Sequence, residues 1–106
     1  MISRGTTPTY TLKLPNDIDL SEASAVYVTF TDLYFKKIIE KKDDELVIDT
    51  NTIDVYLTQE ETLKFPTGEA QVQVNYLMVS GTRTDRIASE IKKVQSCRNL
   101  HEEVIE

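Results

Sequence analysis

Residues able to do covalent chemistry are scarce in this sequence, which has one histidine, one cysteine and no tryptophan. A Ser-His-Asp or Cys-His nucleophilic site needs a histidine held to about half an ångström by a rigid element. His101 lies instead in the final stretch, 97–106, read as a tail. Cys97 and His101 are four residues apart, so a helical tail would place both on one face, with Glu102 or Glu103 adding an oxygen. Structural zinc takes four ligands, and two or three on a loose segment make a poor site. Asp43, Asp44 and Glu45, with Asp49 nearby, are oxygen donors of the kind calcium takes, but they lack the alternating spacing of a calcium loop and read as a charged turn. Glu60 and Glu61 are better explained by a helix start, where negative charge is favoured. Three glycines in the whole chain leave no phosphate-cradling spacing. The expectation is a protein that is not an enzyme, with no catalytic residue, no metal and no cofactor.

Binding is the chemistry that remains. Five tyrosines, Tyr10, Tyr27, Tyr34, Tyr56 and Tyr76, are spread over five strand-like segments. By alternation Tyr27 and Tyr56 point outward, where they would form an aromatic patch for protein or sugar contacts. Arg83, Asp85 and Arg86 fall in one expected hairpin loop, and Arg4 lies in an N-terminal leader. Arg4, Tyr27, Tyr56, Arg83, Asp85 and Arg86 are therefore the candidate interaction surface. The net charge of −6 argues against nucleic acid, whose binding depends on neutralising phosphates. The pairs Lys36-Lys37, Lys41-Lys42 and Lys92-Lys93 read as solvated strand faces and edge protection. No run approaches the ~20 apolar residues that cross a bilayer, so no membrane partner is expected. A single cysteine permits no disulfide within the chain, and no stretch reads as a signal peptide; both fit a protein made in a reducing cytoplasm.

The elements that would position these residues are mostly strands. Residues 2–9 are polar, contain Gly5 and Pro8, and read as an extended leader. Tyr10, Leu12 and Leu14 alternate with polar residues, as do Val26, Val28 and Phe30, and Ile53, Val55 and Leu57. Residues 34–41 carry apolar side chains on both faces, which leaves the buried face open. Thr58 with Glu61 has the spacing of a capping box, and Pro66 and Gly68 supply a stop, so a short helix is expected over 59–65. Val72, Val74, Tyr76 and Met78 form the inward face of a further strand. Residues 80–85 read as a hairpin loop and 86–95 as the last strand; a short helix in the tail is left open. Turn signals recur every ~8–12 residues, which is the pattern of an immunoglobulin-like antiparallel β-sandwich of about seven strands, here one domain over 1–106. A small open barrel is the competing architecture.

Four stretches carry a resemblance. They are the opening Met1-Ile2-Ser3-Arg4-Gly5-Thr6-Thr7-Pro8-Thr9, then Val26-Tyr27-Val28-Thr29-Phe30, then Leu57-Thr58-Gln59-Glu60-Glu61-Thr62-Leu63-Lys64-Phe65, and Ile87-Ala88-Ser89-Glu90-Ile91. In this order they resemble small structural proteins encoded in phages and prophages of Gram-positive bacteria. More weakly, the chain is similar to the immunoglobulin-like N-terminal domain of phage baseplate upper proteins. The sequence departs from the pattern at Thr31-Asp32-Leu33-Tyr34, where a glycine-containing turn is expected. The resemblance implies a virion component, tail or baseplate associated, made in the bacterial host cytoplasm. Its partners would be other phage structural proteins or further copies of itself, reached by protein–protein docking through the leader and the tail. Removing 2–9 would then weaken association and leave the fold intact. A carbohydrate- or receptor-binding β-sandwich module is the alternative.

Overall fold

The computed structural model describes residues 2–105. Nine strands form two sheets: β1 (Ile2–Ser3), β2 (Thr9–Lys13), β3 (Ala23–Thr31), β4 (Lys37–Lys42), β5 (Leu46–Asp49), β6 (Thr52–Tyr56), β7 (Gly68–Ser80), β8 (Arg83–Ala88) and β9 (Lys92–Cys97). Among the described residues one α-helix, α1 (Gln59–Thr62), joins β6 to β7, and single 3-10 turns stand at Leu20–Glu22 and Asp43–Glu45. The larger sheet has the order β1-β9-β7-β3-β4, with β8 also paired to β7; the smaller has the order β2-β6-β5. The result is an all-β sandwich with one short helix. Matching β2, β6 and β5 to strands B, E and D, and β4, β3, β7 and β9 to C′, C, F and G, reproduces the sheet order of an immunoglobulin-type sandwich.

Period-two patterning explains the two layers. Val26, Val28 and Phe30 from β3, with Ala70, Val72, Val74 and Tyr76 from β7, face Leu12, Ile53 and Val55 of the smaller sheet in one buried cluster. Within it Tyr10, Phe30 and Phe65 stack edge to face, with ring centroids 5.9 and 5.3 Å apart, the arrangement the ring quadrupole favours. The capping box forms as expected. Thr58 Oγ1 accepts from Glu61 N–H at 3.2 Å, and the Glu61 carboxylate accepts from Thr58 N–H at 2.9 Å. Gly68 enters β7 at φ +114, a backbone region that strains any side chain.

The structure corrects several expectations. Residues 2–9 are no free leader: Ile2 is fully buried, and β1 pairs with β9 in parallel, so the larger sheet is mixed. Gly5 N–H donates to Thr62 Oγ1 and Arg4 reaches Leu63 O, so this segment is bolted to the end of α1. The helix is one turn, 59–62, because Leu63 already caps it. The strand expected over 34–41 begins at Lys37, since 32–36 form a tight loop. The strand expected over 86–95 is two strands, β8 and β9, broken at 89–91 where Ser89 Oγ accepts from Val74 N–H instead. The expected loop at 80–85 shrinks to the two residues Gly81 and Thr82, with Gly81 at φ +62 in the first central position of a tight hairpin. Lys41 is no solvated face: it is buried and pairs with Glu61 at 2.7 Å. The described part of the tail, 98–105, is irregular rather than helical. The outermost residues of leader and tail, Met1 and Glu106, lie outside the described residues.

Candidate docking surface

The six candidate residues do not converge on one surface. Tyr27 opposes Asn75 in the β3–β7 ladder, on the outward face of the larger sheet. Tyr56 points outward from β6, in the other sheet, so the two tyrosines lie on opposite faces of the sandwich and form no joint patch. Arg83, Asp85 and Arg86 sit on strand β8, not in a loop, and alternation separates Arg86 from the other two. Arg83 pairs with Asp85 at 2.8 Å. Arg86 reaches across to Asn75 Oδ1, with Nη2 at 3.3 Å. Arg4 serves structure: its guanidinium donates to Glu102 at 2.6 Å and to Leu63 O at 2.9 Å, clamping the chain's end against α1.

What the structure does bring together is Tyr27, Asn75 and Arg86, with Thr29, Glu40 and Leu77. These line a depression of about 370 Å³ on the outward face of the larger sheet. Glu40 in turn accepts from Thr29 Oγ1 at 2.7 Å. A second recess, of about 550 Å³, opens between the sheets beneath β8. Leu14, Ile18, Tyr76, Ile87 and Ala88 give it an apolar lining, and Lys13, Lys92 and Glu90 stand among its polar residues. The Tyr76 hydroxyl has its pKa raised, first by burial and then by the charge of Asp17.

The feature that sequence reasoning missed is the loop between β3 and β4. Leu33, Tyr34 and Phe35 are 46%, 91% and 68% exposed, three large apolar side chains in succession. The loop is nonetheless tightly built. Asp32 Oδ1 accepts from the N–H groups of Tyr34 and Lys36 at 2.8 and 2.9 Å; Asp32 N–H donates to Lys36 O, and Phe35 N–H to Asp32 O. Phe35 has φ +64, the left-handed region that costs an L-residue about 1–2 kcal/mol. It directly follows Thr31-Asp32-Leu33-Tyr34, the stretch in which the resemblance leads one to expect a glycine-containing turn. Lys36, Lys37 and Lys64 line a shallow groove at the foot of this apex. Of these only Lys37 forms an ion pair among the described residues, with Glu40 at 3.5 Å. The available signal was the run Leu33-Tyr34-Phe35 itself, since no strand buries three consecutive side chains on one face.

Among the described residues, no three His, Cys, Asp or Glu side chains come together as a metal site, and no helix is long and apolar enough to cross a membrane. Cys97 ends β9, and His101 lies on irregular chain beyond it. Comparison with protein-family models, with curated proteins and with solved structures gives no match.

Proposed function

We propose that this chain is a non-enzymatic docking module, a structural or assembly component of a phage or prophage particle associated with its tail or baseplate. The observation that carries the docking reading is the apex Leu33-Tyr34-Phe35. Soluble proteins rarely display contiguous large apolar side chains, and such patches mark interaction sites. Here the chain also tolerates a left-handed phenylalanine on a turn locked by Asp32, so the display is rigid before any partner arrives. Rigid aromatic anchors lose little entropy on binding, which is why they dominate interface energetics. The particle assignment is drawn from the sequence resemblance. The test is sedimentation of particles from the host that carries the gene. Wild-type chain should travel with the particle fraction, and a chain carrying Tyr34→Ser and Phe35→Gly should remain in the soluble fraction. Wild-type chain absent from particles would overturn the assignment.

The depression formed by Tyr27, Asn75, Arg86 and Glu40 favours a second reading, carbohydrate binding. An aromatic ring beside amide, guanidinium and carboxylate groups suits a sugar's alternating apolar and hydroxyl faces. Amide NMR shifts at Asn75 and Arg86 on addition of neutral hexoses, lost in Tyr27→Ala, would support it; unchanged spectra would dismiss it.

A further inference from the structure

The outward face of the larger sheet carries a pattern that core packing does not require. Three successive outward rows of the β3–β7 ladder each set a hydroxyl against a carboxamide: Tyr27 opposes Asn75, Thr29 opposes Gln73, and Thr31 opposes Gln71. Opposed side chains on one face of an antiparallel pair stand about 4.5–5.5 Å apart, so the rows form a continuous polar track. The four residue steps from Tyr27 to Thr31 make it about 13 Å long. The depression at Tyr27 and Asn75 is one end of this track. A smaller hollow of about 50 Å³ is the other, lined by Thr31, Phe35, Gln71, Gln73 and Ile91, and Thr29 belongs to both. An aromatic ring therefore stands at each end, Tyr27 and Phe35.

The track is polar without being charged. All six side chains of the three rows are half-buried, and charge stands only to either side, with Glu40 on β4 and Arg86 on β8. Its hydrogen-bonding capacity is partly spent. Gln73 Nε2 donates to Ser89 O at 2.9 Å, Thr29 Oγ1 to Glu40 at 2.7 Å, and Asn75 Oδ1 accepts from Arg86. The Tyr27 hydroxyl, the Asn75 and Gln71 amide N–H groups and the Gln73 carbonyl oxygen keep theirs free among the described residues. A protein partner would meet apolar and aromatic side chains at the centre of its interface, and here the central row is Thr29 with Gln73. Nucleic acid would bring phosphates, which Glu40 and the net charge of −6 repel. A chain of neutral pyranose rings matches both parts of the track. Its hydroxyls take amide and hydroxyl partners, and its C–H faces take aromatic rings.

We propose that this track binds a neutral oligosaccharide lengthwise along β3 and β7, with one ring on Tyr27 and the chain reaching Phe35. This deepens the carbohydrate reading and rests on it. A single hexose occupies the Tyr27 end, whereas the Thr31–Gln71 row contacts only a longer chain.

Amide NMR titration of the purified chain tests this with the mono-, di- and trisaccharides of β-1,4-linked glucose, galactose and N-acetylglucosamine. In at least one series the trisaccharide should shift Gln71, Gln73 and Asn75 together and bind at least roughly tenfold tighter than its monosaccharide, which should shift the Asn75 end alone. Gln71→Ala should weaken the trisaccharide about two- to tenfold, the worth of one net hydrogen bond, and leave the monosaccharide unaffected. Tyr27→Ala should weaken both. Gln71 makes only a 3.4 Å side-chain contact with Thr31, so its replacement leaves the sheet intact. Equal affinity for mono- and trisaccharide, or a trisaccharide indifferent to Gln71→Ala, overturns lengthwise binding and leaves the single-sugar reading standing. No shift with any saccharide overturns both. Shifts along the track with a serine- and threonine-rich peptide of similar length, and with no saccharide, would make it a peptide groove and overturn the inference.

Discussion

Replacing Phe35 by glycine separates a display residue from a core residue. Phe35 is 68% exposed, so about a third of its surface is covered. A phenylalanine buries about 150–250 Å² when fully enclosed, so that third is about 50–80 Å². At about 25 cal/mol per Å², the covered part contributes about 1–2 kcal/mol, an upper figure because unfolded chains already cover some of it. Glycine adds unfolded-state entropy of about 0.5–1 kcal/mol against the fold. Relief of the left-handed strain at φ +64 returns about 1–2 kcal/mol. The three terms nearly cancel, and Phe35→Gly should shift stability by no more than about 1 kcal/mol, against the about 3–5 kcal/mol expected for Phe30→Ala in the core. Urea unfolding followed by circular dichroism measures both. A loss at Phe35→Gly approaching that of Phe30→Ala would refute the reasoning, because it would make the apex a structural element rather than a surface held out for a partner.

Three further outcomes are expected. Ile2→Ala should cost about 2–5 kcal/mol by leaving a cavity between β1 and the core, and deleting 2–9 should unfold the domain in thermal melts rather than merely weaken association. Ser96→Ala should raise the urea midpoint, by about 1 kcal/mol in stability, since the buried Ser96 hydroxyl has no hydrogen-bond partner. The Glu61 carboxyl is pushed up by burial, but the Lys41 hydrogen bond, the Thr58 backbone N–H, the Lys41 charge and the Thr58 hydroxyl outweigh this and hold its pKa below the ordinary value. Since the folded pKa is depressed, its stabilisation is present above the unfolded value of about 4.3 and is lost as pH falls through the folded one. Urea midpoints measured on either side of that value should fall on acidification, and less steeply in Glu61→Gln.

Much of the sandwich is legible in the sequence because alternation reports a strand with one buried face. Val26-Val28-Phe30, Ile53-Val55-Leu57 and Val72-Val74-Tyr76 all face the core as read. The Thr58–Glu61 capping box is equally local and equally readable. The misreadings arise where tertiary pairing decides. Nothing in Ile2-Ser3 announces a parallel partner ninety-odd residues away, so a buried edge strand passes for a loose leader. Lys41 looks like a solvated lysine until Glu61 arrives from α1 to neutralise it. Residues 80–95 hold no clear stop, and the break at 89–91 depends on Ser89 capping the β7 backbone. The candidate site suffers most. Outward direction can be read from alternation, but which sheet a strand joins cannot, and this is why Tyr27 and Tyr56 part company. Tyr27, Asn75 and Arg86 meet only through the β3–β7–β8 register.

The central claim is that the apex Leu33-Tyr34-Phe35 is covered by a partner in the working assembly. A photo-cross-linking residue at position 34, with a matched one at the exposed Val47 on the smaller sheet, tests it directly in intact particles. A discrete cross-linked product is expected from position 34, with the partner peptide mapping to another protein of the particle, and none of comparable yield from position 47. Equal, diffuse labelling from both positions would contradict it.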